Sequence, residues 1–193
     1  LSNPNLAQKI YQVILPPSKS ILNRVLIIAS FLNEPLKLEN FCEFEDGMIL
    51  LNALTEIKAI KVLHKNENSI SLIGNFFQAL QQTEKSHFDL NLGNSGTSAR
   101  FLITFLSLFK DFTFTLRGST RLEERPIKEI LDSLIQNNSI EVEYLNNYGF
   151  FPLTLKSNGF KGGEITINGS ESSQFITSLL LCSPYSQKEV CLK

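Results

Sequence analysis

The sequence contains little of the material from which metal sites and nucleic-acid surfaces are built. Its two histidines and three cysteines are widely spaced and include no paired-cysteine motif, so they do not predict a zinc site. The 18 basic and 19 acidic side chains give a net charge of −1. The broad basic field of a nucleic-acid-binding protein is therefore missing, and any anion binding must be local.

Long hydrophobic runs and targeting signals are missing as well. Polar or charged residues interrupt every apolar stretch well before the roughly 18 residues that a membrane helix needs, and no signal sequence opens the chain. An odd number of cysteines fits a reducing compartment. The sequence thus predicts a metal-free cytoplasmic protein that binds neither a membrane nor nucleic acid.

What the sequence does have is the composition of a folded globule. Hydrophobic residues make up 42% of the 193 positions and charged residues 19%, which predicts one domain or two small ones. The chain begins with Leu1 rather than methionine and stops at "KEVCLK", which is typical of a strand but has no evident partner. We expect an excised piece of something longer.

One order of elements occurs twice and begins a third time. A strand predicted at residues 10–15 ends at two prolines, and a helix with apolar residues at helical spacing follows. Strands and helices then continue in the order β, α, β, α, β, β to residue 74, and the same order recurs over residues 88–157. A strand at 163–170 and a helix at 172–182 start a third copy. We therefore expect a pseudo-symmetric α/β lobe of repeated βαβαββ units.

Each copy opens its first helix with a turn rich in small hydroxyl residues. Ser20 and Thr97 are 77 positions apart (97 − 20), as are Ser95 and Ser172 (172 − 95). One such turn is more often a simple helix cap. Three helix starts packed around a common axis would instead bring together unpaired backbone N–H groups and the positive ends of three helix dipoles. The repeat therefore predicts an anion site.

Charged residues of the first turn strengthen this prediction. Ser20 and Arg24 share a helix face, and Arg24 can hold a phosphate or carboxylate with two parallel hydrogen bonds. Lys19 lies in the first turn, where a cation is unfavourable unless an anion is nearby. The alternative is that Arg24 forms an ordinary ion pair with one of three acidic residues. These are Glu34, Glu43 and Asp46.

The other turns carry weaker signals. In "GNSGTSAR", Gly93 and Gly96 allow the backbone to approach a ligand closely. The third turn, "GSESSQF", offers neutral hydrogen-bond donors but could be only a cap. Arg121 and Arg125 lie among acidic residues in "RLEERPI", with Pro126 marking a helix start. By themselves these two arginines indicate a solvated ion-pair cluster with Glu123 and Glu124.

Four stretches in this order, "LPPSKSILNRVLIIASF", "LNLGNSGTSARFL", "RLEERPI" and "GSESSQFITSLLL", resemble the 5-enolpyruvylshikimate-3-phosphate (EPSP) synthase family. The resemblance extends over essentially the whole chain. It implies transfer of the enolpyruvyl group of phosphoenolpyruvate to the 5-hydroxyl of shikimate 3-phosphate, with release of phosphate, in the shikimate pathway of aromatic amino acid biosynthesis. It implies no metal and no organic cofactor.

The resemblance also implies roles for particular residues. Lys19 would contact both substrates and be the catalytic residue of this chain. The shikimate 3-phosphate side would further comprise Ser20, Arg24, Ser172, Ser173 and Gln174. The phosphoenolpyruvate side would comprise Lys19, Asn94, Gly96, Arg125 and Gln174. For Arg125 this replaces the ion-pair interpretation, whereas Arg121 keeps it.

Members of this family have six βαβαββ units in two lobes, the inside-out α/β fold. We accordingly expect residues 1–14 to pair with the other lobe and residues 15–193 to form a substrate-binding lobe of two complete units and part of a third. With the second lobe and its catalytic groups absent, this chain should bind shikimate 3-phosphate weakly and be inactive alone. The full-length protein is expected to be a monomer.

The sequence differs from the family's usual pattern at two places, and two alternative functions stay open. Pro17 stands where the family usually has glycine, and "CEFEDGM" replaces a Ser-Asp-Asp run, with Glu45 and Asp46 in its place. One alternative function is that of the UDP-N-acetylglucosamine enolpyruvyl transferase, which typically has Lys-Asn where this chain has Lys19-Ser20. The other is a non-catalytic anion- or RNA-binding module built from the same unit.

Overall fold

The computed structural model describes residues 16–81 and 86–193. The strand predicted at residues 10–15 and the domain boundary at residue 14 lie outside these ranges. Within them the chain is a mixed α/β structure, as the repeat predicts. No helix in the two described ranges combines the length and apolar character needed to cross a membrane.

The first copy contains three helices and three strands. Its two long helices are α1 (Lys19–Ser30) and α2 (Glu45–Glu56), and a single turn, α3 (Phe76–Ala79), closes the copy. Its strands are β1 (Pro35–Glu39), β2 (Ile60–Lys65) and β3 (Ser69–Gly74). They form an antiparallel sheet in the order β1-β3-β2. The elements predicted within the described residues of this copy are present, and the sequence pattern missed only α3 there.

The second copy repeats this plan, and all four of its predicted strands lie in the described range. It comprises β4 (His87–Asn91), α4 (Gly96–Leu106), β5 (Thr113–Arg117), the short α5 (Thr120–Glu123), α6 (Lys128–Gln136), β6 (Ile140–Tyr144) and β7 (Leu153–Ser157). The sheet order is β4-β5-β7-β6, with β4 and β5 parallel and the other pairs antiparallel. The helix marked by Pro126 begins two residues later than that proline, because Ile127 occupies the N-cap position.

The third copy holds β8 (Gly163–Ile165), α7 (Ser173–Cys182), a 3₁₀ turn (Ser183–Tyr185) and β9 (Val190–Leu192). Strand β8 is three residues long, whereas the alternation in "GEITINGS" predicted a longer one. The expectation that the final strand has no partner is wrong. Strand β9 pairs with β8 in parallel, with Gly163 opposite Val190 and Ile165 opposite Leu192.

The first helices of the three copies, α1, α4 and α7, pack against one another. They begin at residues 19, 96 and 173, so 96 − 19 and 173 − 96 both give 77. The guanidinium of Arg24 in α1 lies over the ring of Phe101 in α4, 5.4 Å from its centroid. In the other pair, Thr104 of α4 hydrogen-bonds Ser178 of α7 at 2.8 Å. The three helices therefore run parallel and nearly in register.

An apolar core surrounds these helices and fixes that register. Helix α4 lies at its centre, because nine of its eleven residues are buried. Around the far ends of the helices, the rings of Phe31, Phe76, Phe105 and Tyr185 contact one another, with Phe31 and Tyr185 stacked at 3.7 Å. Aromatic packing of this kind stabilises beyond its buried area. The core thus keeps the amino ends of α1, α4 and α7 aligned along the direction of the helix axes.

Candidate functional site

Serine caps all three of these amino ends. The hydroxyl of Ser18 accepts from the Ile21 N–H at 3.4 Å, that of Ser95 from the Ser98 N–H at 3.3 Å, and that of Ser172 from the Gln174 N–H at 3.2 Å. Each cap satisfies one of the first N–H groups of its helix and leaves others available. The three helix dipoles therefore point their positive ends to the same side of the lobe.

Helix α2 also begins beside this group. The Ser98 hydroxyl of α4 donates to the backbone carbonyl of Asp46 at 2.7 Å, and the Ser95 hydroxyl lies 2.6 Å from that of Ser98. The carboxylate of Asp46 forms an ion pair with Lys19 at 2.7 Å. A chain of contacts thus joins the first turns of α1, α2 and α4. The anion that compensates Lys19 in this structure is Asp46.

Arg24 does not form the ordinary ion pair that was the alternative for it. Its Nη1 donates to the Ser20 carbonyl at 2.8 Å, and its guanidinium stacks on Phe101. Within the described residues it has no ion pair with Glu34, Glu43 or Asp46. Its charge is therefore held in place by a backbone carbonyl and a ring rather than neutralised. That leaves hydrogen-bonding capacity for an anion.

Gln174 connects the amino ends of α7 and α4. Its Nε2 donates to the Thr97 hydroxyl at 3.0 Å, and its Oε1 accepts from Nη1 of Arg100 at 2.8 Å. Ser172 caps α7, and Ser173 is exposed at its first position. The structure thus joins Gln174, a predicted site residue of the third turn, to Thr97 and Arg100 of α4, which were not predicted site residues.

Arg125 lies directly over the start of α4. A Cβ atom built on Gly96 would come within 2.6 Å of Nη1 of Arg125, so the missing side chain makes room for the guanidinium. The amide oxygen of Asn94, two residues earlier, is buried without a hydrogen-bond partner in the described part of the chain. The predicted ion-pair cluster is absent, since neither Arg121 nor Arg125 pairs with a carboxylate among residues 16–81 and 86–193. The structure therefore places Asn94, Gly96 and Arg125 in one group.

Arg100 is a residue of this site that the sequence analysis did not identify. It is half-buried, its guanidinium lies 5.3 Å from the centroid of the Phe175 ring, and it forms no ion pair with a described residue. Burial lowers its pKa, and the positive charge of Arg125 lowers it further, while Glu171 acts in the opposite direction. The available signal was its position three residues after Thr97, which puts both on one helix face.

The arrangement is suited to binding anions. Arg24, Arg100 and Arg125 have no carboxylate partner in the described residues, and they accompany three helix amino ends. No cluster of three or more histidine, cysteine, aspartate or glutamate side chains that could hold a metal ion occurs in the described ranges. The chemistry that these groups offer is fixation of phosphate or carboxylate groups by N–H donors and positive charge.

Comparison with solved structures first defines the class of fold. The chain superposes on EPSP synthase from Acinetobacter baumannii with a TM-score of 0.79 over 94% of its length, at 22% sequence identity. A second structure of the enzyme from that organism gives the same score at 21% identity. The fold is thus the inside-out α/β fold seen in these EPSP synthase structures.

Sequence comparison then identifies the family. Residues 8–193 match the family described as EPSP synthase (3-phosphoshikimate 1-carboxyvinyltransferase), and the chain belongs to it. It is 36% identical over 93% of its length to the pentafunctional AROM polypeptide of Clavispora lusitaniae. The AROM polypeptides of Pneumocystis carinii and Komagataella phaffii are also 36% identical, over 97% and 93% of the chain. The chain spans 12% of the length of these relatives and 40% of the first Acinetobacter structure.

Proposed function

We propose that this chain is the substrate-binding lobe of an enzyme that transfers the enolpyruvyl group of phosphoenolpyruvate to the 5-hydroxyl of shikimate 3-phosphate and releases phosphate. The observation that carries the proposal is the convergence of three serine-capped helix starts with arginines that have no carboxylate partner among the described residues. Membership of the EPSP synthase family supports the choice of reaction. The enzyme acts in the cytoplasm, as a monomer when full length.

Shikimate 3-phosphate binds between the first and third turns in this proposal. Arg24 and Ser20 of α1 contact it from one side. Ser172, Ser173 and Gln174 of α7 contact its phosphate and ring from the other, using hydroxyl, amide and free backbone N–H donors. Arg24 and Gln174 are already held by their own contacts, so little of their conformational entropy is lost when the substrate binds.

Phosphoenolpyruvate binds next to it, over the start of α4. Arg125 is placed by Gly96 so that its guanidinium can pair with the phosphate or the carboxylate. Asn94 contacts the same substrate through its amide NH₂ group, because the amide oxygen can only accept hydrogen bonds. Lys19 lies between the two substrates and must exchange its contact with Asp46 for contacts with them. The Lys19 side chain is 53% exposed, although that of Asp46 is only 17% exposed. Ion pairs at a protein surface contribute only about 0–1 kcal/mol, so a dianionic substrate can displace this one.

Catalysis in this scheme depends on fixed positive charge around two polyanions. Enolpyruvyl transfer brings two anionic molecules together and expels a phosphate, so charge accumulates on the departing group. Prearranged N–H dipoles and cations stabilise that charge without reorganising during the reaction. Holding both substrates in contact also makes the encounter intramolecular. The lobe described here supplies binding and orientation.

Removal of Arg24 tests the proposal. In an NMR titration of the 193-residue chain, we expect shikimate 3-phosphate to shift the amide signals at the starts of α1 and α7. Arg24→Ala should weaken this binding at least tenfold, because a charge-assisted bidentate contact contributes about 1.5–3 kcal/mol. Arg121→Ala, which removes an exposed arginine outside the proposed site, is the matched control and should change the dissociation constant less than twofold.

Two results would contradict the proposal. One is an unchanged affinity of the Arg24→Ala variant for shikimate 3-phosphate. The other is stronger binding of UDP-N-acetylglucosamine than of shikimate 3-phosphate by the unaltered chain, which would favour the sister transferase. A short RNA added in the same titration tests the alternative of a non-catalytic RNA-binding module. We expect the RNA to leave the positions of the amide signals unchanged.

A further inference from the structure

Arg100 has a position that family membership does not explain. It projects from α4 one turn after Gly96, with its guanidinium against Phe175 and Nη1 on the Oε1 atom of Gln174. Arginines in protein interiors usually pair with a carboxylate. Here no described carboxylate lies within ion-pair distance, and the acceptor is a neutral amide. The hydrogen bond from Arg100 to Gln174 therefore constrains the Gln174 side chain and does not neutralise the charge of Arg100.

The consequence is the orientation of the Gln174 amide. A guanidinium has only N–H donors, so the side facing Arg100 must be the carbonyl oxygen Oε1. The NH₂ group is then forced to the opposite side, where one N–H donates to the Thr97 hydroxyl at 3.0 Å. The second N–H of Nε2 has no acceptor in the described part of the chain. Gln174 thus presents a donor, not an acceptor, beside the helix starts.

We propose that Arg100 is a positioning residue that locks the Gln174 amide with its NH₂ group towards the anionic substrates. The inference rests on the proposed function, in which Gln174 contacts shikimate 3-phosphate and phosphoenolpyruvate. Without Arg100 the amide is free to rotate by 180° about its last torsion and present Oε1 to a phosphate, which repels it. Glutamine alone does not discriminate between the two orientations, because its two ends have nearly the same shape.

The surroundings of Arg100 agree with a role through Gln174. Arg125 and Arg100 raise the local positive potential together, and partial burial desolvates the Arg100 guanidinium. The ring of Phe175 fixes the plane of that guanidinium, and Phe175 follows Gln174 directly in α7. One arginine of α4 thus contacts two successive residues of α7. The packing of α4 against α7 therefore determines the orientation of the Gln174 amide.

The direct test reads the Gln174 side chain in ¹H–¹⁵N spectra of the 193-residue chain. In the unaltered chain we expect two resolved Nε2 proton signals, separated from those of exposed glutamines. Arg100→Met should move both signals towards the values of a mobile glutamine, whereas Arg121→Met should leave them unchanged. Arg100→Leu, which likewise removes the hydrogen-bond donor, provides the measurement if the methionine variant does not fold. Unchanged Gln174 signals in the folded Arg100 variant would overturn the proposal.

A double-mutant cycle tests whether the effect on binding passes through Gln174. We expect Arg100→Met and Gln174→Ala each to weaken shikimate 3-phosphate binding about tenfold, the loss of one hydrogen bond to a charged group. The double variant should be no more than twofold weaker than Gln174→Ala alone, because residues that act as a unit are not additive. An additive loss of about a hundredfold would show that Arg100 acts independently and would refute a positioning role.

Failure of the proposed function would look different. If the unaltered chain does not bind shikimate 3-phosphate, the substrate assignment is wrong, yet the Gln174 signals still report whether Arg100 fixes the amide. If the chain binds the substrate but the Gln174 signals do not respond to Arg100→Met, the substrate assignment stands and the positioning role is refuted. The spectral and binding measurements therefore separate the two claims.

Discussion

At the scale of single residues, Gly96 shows how the absence of one side chain shapes a binding surface. A Cβ atom at this position would collide with Nη1 of Arg125, which is the far end of a flexible side chain. Gly96→Ala should therefore move Arg125 rather than break the fold. Alanine is also the better helix former, by up to about 1 kcal/mol in a helix interior.

We expect Gly96→Ala to leave the thermal midpoint unchanged or slightly raised while it impairs the phosphoenolpyruvate side. In a polypeptide that carries both lobes, the KM for phosphoenolpyruvate should rise at least tenfold, the size expected when one charge-assisted contact is displaced. The KM for shikimate 3-phosphate, whose contacts lie on α1 and α7, should change less than twofold. Equal rises in both KM values would mean that the substitution disturbs the whole lobe.

A second residue-scale prediction concerns pH. Burial, together with the neighbouring Tyr148 and Asp132, raises the pKa of the Tyr144 phenol to about 12. In the unfolded chain this group titrates near 10. As the pH rises above about 10, the unfolded state loses the proton first, so the free energy of unfolding decreases until about pH 12.

The free energy of unfolding should fall by less than about 1.4 kcal/mol per pH unit, which is the limit for one proton. The fall is smaller than this limit because Tyr144 is only half-buried and solvent screens part of the effect. Urea unfolding at pH 9, 10 and 11 measures it. Tyr144→Phe lacks the ionisable group and should show a shallower decline than the unaltered chain. Equal slopes in the two proteins would assign the alkaline loss to other groups.

The sequence could predict those site residues whose signal is local. Lys19 and Arg24 stand out because cations at a helix start need an anion, and Gly96 lies in a recognisable turn. Local reasoning was wrong for Arg125, since nearby glutamates made an ion pair the simpler interpretation, and only the family resemblance corrected it. Arg100 was missed because its partner, Gln174, is 74 positions away and meets it only through the packing of α4 on α7.

At the scale of elements, the register of α4 against α7 depends on a buried polar contact. The Ser178 hydroxyl donates to the Phe175 carbonyl, so Thr104 is the donor in the 2.8 Å bond between the two hydroxyls. Both side chains are buried. Removing one partner leaves the other unsatisfied, whereas removing both is nearly neutral apart from lost packing.

This asymmetry gives an element-scale prediction. Ser178→Ala should lower the free energy of unfolding by about 1–2 kcal/mol, and Thr104→Val by a similar amount. The double variant should lose clearly less than the sum of the two, with a coupling of about 0.5–1.5 kcal/mol. Strict additivity in urea unfolding would show that the two hydroxyls do not meet and that α4 and α7 have another register.

Helices with a long apolar periodicity could be predicted from the sequence. Strands whose partner or length depends on pairing with a distant segment could not. The five long helices follow from their apolar spacing and from the capping residues before three of them. The partner of β9 could not be predicted, because parallel pairing with β8 joins segments separated by the whole of α7. Strand β8 is short because only three of its residues find a partner in β9, which no local alternation in the sequence reveals.

At the scale of the whole molecule, the three copies form one face rather than a closed site. The helix starts, Lys19 and the arginines all lie on the same side of the lobe, so the substrates of this proposal are contacted from one direction only. An active site that brings two polyanions together must also exclude water and supply groups for proton transfer. Among the described residues, the carboxylate of Asp46 lies next to these cations and forms an ion pair with Lys19 at 2.7 Å.

This geometry leads to the prediction that the 193-residue chain binds but does not catalyse. We expect shikimate 3-phosphate to bind with a dissociation constant at least a hundredfold above that of a two-lobed EPSP synthase measured beside it. In this proposal the substrate is contacted from one face only, and each 1.4 kcal/mol of lost contact energy weakens binding roughly tenfold. Phosphate release from both substrates should stay at the level of a protein-free blank.

The control for this experiment is reconstitution. Adding the remaining part of a two-lobed enzyme as a separate polypeptide should restore phosphate release if the lobe is correctly folded, because the second lobe then supplies the missing groups in trans. Arg24→Ala should abolish that restoration while leaving the lobe folded by circular dichroism. Turnover by the 193-residue chain alone would show that the face formed by the three helix starts suffices for catalysis. It would contradict the proposal that catalysis needs groups from both lobes.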